Sequence, residues 1–213
     1  CCFRRFIFYF YMFYVFLFMA IRVNGQNIIE KKLLADKTET ISINGFRIFK
    51  ISVSTSKTEF ITIKSALDGE YQNQFQVVTK QEENQLDLKL EQIEFSTIAH
   101  DKRNAHKVVA ATLYLEIPEG LNLNITSNIG SVHLSGNFDS LYVDLLQGYF
   151  DAIGEANSAT IITIDGHISL RTKNADVEAI SKNGRVTVDE FITNESLWKL
   201  HSINGNITVA KQE

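Results

Sequence analysis

Glycine returns along the second half of this chain at a fixed interval. Gly130, Gly148, Gly166 and Gly184 lie 18 residues apart, and Gly205 follows after 21. A period of this length marks a repeating structural unit and constrains the fold more than any local propensity does. The apolar pattern moves with it. Seven and five residues before each glycine stand Leu123/Ile125, Leu141/Val143, Ala159/Ile161, Val177/Ala179 and Trp198/Leu200. Two and four residues after each stand Val132/Leu134, Phe150/Ala152, Ile168/Leu170, Val186/Val188 and Ile207/Val209. Each repeat therefore reads as two short strands, alternate residues inward, with a turn at the glycine.

The residues around the glycines fit turns. Asn183-Gly184, Asn204-Gly205 and Asp165-Gly166 are pairs that tolerate positive φ. Residues between the inward positions are mostly polar (His133, Arg171, Glu178, Thr187, Thr208), whereas Ile162 and Ile180 are expected to lie under a neighbouring segment. One repeat cannot bury two apolar strands by itself. Repeats laid on one another can, because equivalent side chains then form continuous columns. The expected fold is an all-β, single-chain β-solenoid of the parallel β-helix or β-roll kind, with about 18 residues per rung. A β-sandwich also uses short strands and regular turns, but does not require one register to recur. A left-handed hexapeptide helix has coils of this length, but its apolar residues come singly, every sixth, whereas here they come in alternating pairs. Phe150-Asp151-Ala152 is the poorest rung.

Residues 26–118 form a less regular β-rich half, expected to continue the stack or cap it; residues 119–213 hold the repeats. Candidate strands are Glu39–Ile43, Phe46–Val53, Glu59–Lys64, Phe75–Lys80, Leu86–Leu90 and Val108–Ile117. Asn44-Gly45 and Asp68-Gly69 read as turns, the first as a hairpin, and Pro118 closes the strand before the first rung. Ser96–Lys107 is polar and reads as a solvated loop, with a binding loop as the alternative.

The first 25 residues follow a different pattern. Arg4 and Arg5 precede an apolar run from Phe6 to Ile21, and Val23-Asn24-Gly25 follows. This is the three-part pattern of a secretory signal peptide, expected to be cleaved before Gln26, so the protein is exported to periplasm, cell surface or medium. An uncleaved anchor is the rival reading, but the run is shorter than the roughly 20 residues a spanning helix needs. No membrane span is expected after cleavage. Cys1 and Cys2 precede the apolar run, where a lipid-modified cysteine would follow it. Removing Arg4, Arg5 and Arg22 leaves 18 basic residues against 25 acidic ones, a net charge of about −7. That balance argues against nucleic acid as a partner.

Chemistry is not evident. His133, His167 and His201 fall at different offsets from their glycines, and His100 and His106 are six apart, unlike a zinc-binding pair. Asp139, Asp144, Asp151, Asp165, Asp176 and Asp189 also differ in offset, so no acid–base pair is indicated. The sequence indicates no catalytic residue, no cofactor site and no metal site. Asn124-Ile125-Thr126, Asn194-Glu195-Ser196 and Asn206-Ile207-Thr208 match glycosylation sequons, which matter only in a eukaryotic secretory pathway.

The motif Ser/Thr-x-x-Gly-x-Ile/Val-x-Leu/Val occurs from Ser127 to Leu134, Thr163 to Leu170, Ser181 to Val188 and Ser202 to Val209. It resembles the putative adhesin family, bacterial exported β-strand-repeat domains. Asp101–Val108 is similar to a segment of its Bacteroidetes members. The resemblance covers residues 105–211, with Leu145 standing where the hydroxyl residue belongs in one repeat. It implies the fold and an exported location, and supplies no catalytic residues. The expected function is a non-enzymatic cell-envelope or secreted protein with an adhesin-like interaction surface for a polysaccharide or an envelope protein. The alternatives are a carbohydrate-active enzyme on a β-helix and an envelope-stress or regulatory accessory.

Overall fold

A computed structural model describes residues 27–68, 75–93, 110–192 and 196–212. The expected leader (1–25), the polar segment 96–107, the expected turn at Gly69 and the sequon at Asn194 lie outside the described residues. The described chain is all-β, with fifteen strands in one sheet. They are β1 (Asn27–Leu34), β2 (Thr40–Asn44), β3 (Ile48–Ser56), β4 (Phe60–Asp68), β5 (Phe75–Glu82), β6 (Gln85–Gln92), β7 (Ala110–Pro118) and β8 (Asn122–Ser127). The later ones are β9 (Ser131–Gln147), β10 (Phe150–Asp165), β11 (Ile168–Thr172), β12 (Ala175–Ser181), β13 (Val186–Val188), β14 (Ser196–Ser202) and β15 (Ile207–Lys211). All six expected strands of the first half are present; β1, which the pattern did not suggest, is added.

The sheet folds into two files of strands. One runs β1-β4-β7-β3-β9-β10-β11-β15-β13; the other runs β5-β6-β2-β8-β9-β10-β14-β12. The long strands β9 and β10 belong to both. Ser131–Ser135 of β9 pair with β3, and Leu141–Leu145 pair with β8. Between those segments the backbone passes through Gly136 at φ 114°, and β10 does so at Gly154 (φ 146°). Pairing within the repeats is parallel and in register: Val132, Phe150, Ile168, Ile207 and Val186 are successive partners. The sheet is open, with β1 and β5 at the edges of one end and β12 and β13 at the other.

The glycine period has a cause other than positive φ. Of the five repeat glycines only Gly148 has it (φ 127°). What all five share is backbone laid on backbone. A methyl group on Gly148 would lie 2.3 Å from the carbonyl oxygen of Gly130, and one on Gly166 would lie 1.7 Å from that of Gly148. The corresponding distances are 1.8 Å for Gly205 to Gly166 and 2.1 Å for Gly184 to Gly205. No Cβ fits, so glycine is required wherever the corners stack. The hydroxyl three residues earlier holds the corner: Ser127 and Ser181 Oγ accept from the N–H of Gly130 and Gly184 (both 2.9 Å). Each also donates across the stack, to the carbonyls of Gly45 (3.1 Å) and Gly205 (2.7 Å). Leu145, which replaces the hydroxyl, is fully buried between Ser127 and Thr163.

That column also reveals a reordering. The stack runs Gly130, Gly148, Gly166, Gly205, Gly184, so the last repeat in sequence lies between the third and fourth. β14 pairs with both β10 and β12, and β15 with both β11 and β13. Val143, Ile161 and Ala179 are not consecutive, since Leu200 sits between the last two. Burial explains the order. Trp198, Leu200 and Ile207 are larger than their counterparts Val177, Ala179 and Val186, with Val209 matching Val188, so enclosing the former set on both sides removes more apolar surface from water. Sixteen of the twenty inward positions are buried; the four exceptions are the residues of the displaced end repeat.

Three other expectations need correction. Asn44-Gly45 is a turn but not a hairpin: β2 pairs with β6 and β8, and β3 with β7 and β9. It is the corner of an earlier layer, in which Ile41/Ile43 align with Leu123/Ile125 and Ile51/Val53 with Val132/Leu134. The Phe150–Ala152 rung is not weak, for both apolar residues are buried and in register on either side. Ile162 is half-buried, but Ile180 is 61% exposed.

Ile168 is buried in the core. Ile168→Asp should cost roughly 4 kcal/mol, whereas Thr208→Asp, on the outer side of the adjacent strand, should change stability by less than about 0.5 kcal/mol. Equal denaturation midpoints for the two variants would contradict the inward–outward assignment. Gly166→Ala forces the stacked corners apart and should cost about 3 kcal/mol, read from the same urea titrations.

Candidate functional surface

In-register stacking has a second consequence, on the outside. Outward side chains also fall into columns, spaced by the distance between neighbouring strands, about 4.8 Å. One column of the β2 file reads Asp87, Ser42, Asn124, Tyr142, Thr160, Lys199 and Glu178. Beside it runs Lys89, Asn44, Thr126, Asp144, Ile162, His201 and Ile180. Where β5 and β6 meet β2 and β8, these columns border a groove of about 450 Å³. Hydroxyl and amide groups of Ser42, Asn44, Asn124 and Thr126 line it, with Val78, Lys80, Asp87 and Lys89. Lys80 pairs with Glu82, and Lys89 with Glu91 at 2.5 Å. The hydrogen bond that the Lys80 ammonium donates to Glu82, and then the charge of that carboxylate, raise the pKa of Lys80. Tyr142, 40% exposed, directly follows Asn124 in its column and extends the polar shelf with an aromatic face.

An apolar stripe borders the same shelf. Leu146, Ile164 and Phe46 line a shallower groove of about 360 Å³ with Asn44, Thr126, Ser127, Asn128 and Asp144. Here exposed apolar side chains and amides lie within one surface.

The histidines and acids are distributed as their offsets imply. His167 Nδ1 accepts from the Asn206 N–H (2.9 Å), and His201 lies on the other file. Asp165 accepts from Asn204, whose own oxygen accepts from Asn183 (2.6 and 2.7 Å), forming a corner ladder. Asp139 accepts from Asn157 (2.7 Å), and Asp189 from the Lys211 N–H (3.0 Å). Among the described residues no three of His, Cys, Asp and Glu gather as a metal site. His100 and His106 lie outside the described residues.

One juxtaposition was legible only in part, for His133 and Asp151 each stand three residues after a repeat glycine whereas Ser52 lies outside the period. The register sets Ser52, His133 and Asp151 side by side, although Ser52 is 81 residues before His133. His133 Nδ1 is 3.7 Å from Asp151, and its ring meets Tyr149 edge-on at 5.2 Å. Its Nε2 is buried without a hydrogen-bond partner, so no bond joins it to Ser52. A nucleophile–base–acid set needs that bond, and an oxyanion needs spare N–H donors. Here the neighbouring N–H groups lie within the strand ladder.

No protein-family model matches the chain, and no curated protein matches it in sequence. Among solved structures, a putative adhesin from Bacteroides fragilis aligns over 87% of this chain and 98% of its own, at 13% identity and a TM-score of 0.39. A putative cell adhesion protein from Clostridium sporogenes aligns over 88% of this chain and 100% of its own, at 13% identity and a TM-score of 0.64. The chain shares the fold of that cell adhesion protein, in agreement with the adhesin-family resemblance carried by its Ser/Thr-x-x-Gly repeats.

Proposed function

We propose that this is a non-enzymatic, exported β-solenoid protein of the cell envelope or medium that binds through the outer face of its β2 file. The observation that carries this reading is the set of registered polar columns around the β5–β6 groove. Hydrogen-bonding groups repeat there at strand spacing, beside Tyr142 and an apolar stripe. A repetitive ligand such as a polysaccharide, whose sugar faces are apolar and whose edges are hydroxyls, matches that chemistry. The fold shared with a putative cell adhesion protein supports it, as does the leader pattern of residues 1–25.

A second reading rests on Ser52, His133 and Asp151: a hydrolase acting on the opposite file. The missing Ser52–His133 bond and the open surface weigh against it.

Both readings are tested by incubating the purified protein with a panel of envelope polysaccharides, following retention and new reducing ends. Retention without turnover is expected. Tyr142→Ala should weaken retention about tenfold while leaving the thermal midpoint within a degree or two. New reducing ends abolished by His133→Ala would overturn the non-enzymatic reading. Retention unchanged in Tyr142→Ala would move the binding face elsewhere.

A further inference from the structure

The displaced repeat leaves β13 at the end of one file, with one side unpaired among the described residues. The Ile207 N–H donates to the Arg185 carbonyl (2.9 Å) and the Asp189 N–H to the Val209 carbonyl (3.0 Å). Arg185, Thr187 and Asp189 thus turn their backbone groups toward β15, while Val186 and Val188 turn theirs toward the free edge. The side chains of Val186 and Val188 face the core side yet are 38% and 37% exposed, whereas their column neighbours Ile207 and Val209 are buried. This edge carries no proline and no inward charge, the usual devices that block strand addition.

We propose that a second copy of this chain pairs with this edge, β13 antiparallel to β13, about a two-fold axis through Thr187. The sequence Arg185-Val186-Thr187-Val188-Asp189 is self-complementary in that register. Val186 lies opposite Val188 of the second copy as a hydrogen-bonded pair, which uses the backbone groups that point outward. Arg185, whose guanidinium has no partner among the described residues, lies opposite Asp189, and Thr187 opposite Thr187. Shifting the register by one step in either direction separates the opposite charges. The β12 edge has the same property. The Lys182 N–H donates to the Ser202 carbonyl (3.1 Å), which leaves Val177, Ala179 and Ser181 facing the free side. Centring on Ala179 sets Asp176 opposite Lys182. The interface is isologous and closes after two copies, so it ends the stack without starting a filament.

Sedimentation of the purified protein tests this. A dimer is expected, with Arg185→Asp weakening it by at least about tenfold and the combined Arg185→Asp/Asp189→Arg exchange restoring it. Thr187→Cys supplies a check on register. Non-hydrogen-bonded antiparallel partners have Cα atoms about 4.5 Å apart, within disulfide reach, so mild oxidation should link the two copies well above the level of the parent chain. A monomeric parent protein would overturn the proposal, whether the edge takes another partner or none. So would a dimer insensitive to Arg185→Asp, or a Thr187→Cys variant that links no more than the parent.

Discussion

At the corners of this protein, peptide backbone lies directly on peptide backbone. The place a Cβ would occupy at Gly166 holds the carbonyl of Gly148, and the same holds at Gly148, Gly205 and Gly184. Layers can approach to strand spacing around a bend only where nothing projects between them. Once they do, the hydroxyls of Ser127 and Ser181, three residues before their glycines, bridge within a layer and between layers. Register is then fixed, and with it the inner columns that make the core and the outer columns that make the surface. Loss of one glycine acts on both, because inward and outward residues alternate along the same strands.

Periodicity reports which residues are equivalent and is silent on the order in which equivalent units stack. The apolar offsets identified the inward positions from Leu123 to Val209, and all of them are buried except in one repeat. That repeat exchanges places with its successor. Two traces of the exchange were present in the sequence: a connection three residues longer, and the small inward set Val177, Ala179, Val186 and Val188. Neither specifies an order without knowing that Trp198 stacks between Ala159 and Val177. The layer built from β2 and β3 was hidden for another reason. Gly45 aligns with Ser127 and not with Gly130, and the pairing shifts at Phe49, so the glycine spacing fails just where the stack begins. Reading Asn44-Gly45 as a hairpin followed from turn chemistry that is the same for a hairpin and for a corner.

The surface was less legible than the core, because its columns join residues distant in sequence. Ser42, Asp87 and Asn124 become neighbours only through β2 pairing with both β6 and β8. Offsets from the glycines did show that no two repeat histidines and no two of the six aspartates would line up, and they place His133 and Asp151, each three residues after its glycine, in one column. They could not show Ser52 beside His133, since Ser52 belongs to the layer outside the period.

The two ends of the sheet show what a stacked architecture demands. Each parallel layer offers the next an unpaired row of N–H and C=O groups, and the ladder has no internal reason to stop. At one end the pairing switches to antiparallel: β4 against β7, β1 against β4 and β5 against β6. Lys31 of β1 donates to Thr79 of β5, tying the two files across that end. At the other end no such change occurs. The chain instead sends its smallest inward side chains out to the last layer, where incomplete burial sacrifices least, and encloses Trp198 behind them. The order of the last two repeats is therefore a solution to termination: the layer that burial can most easily spare is the one left facing outward.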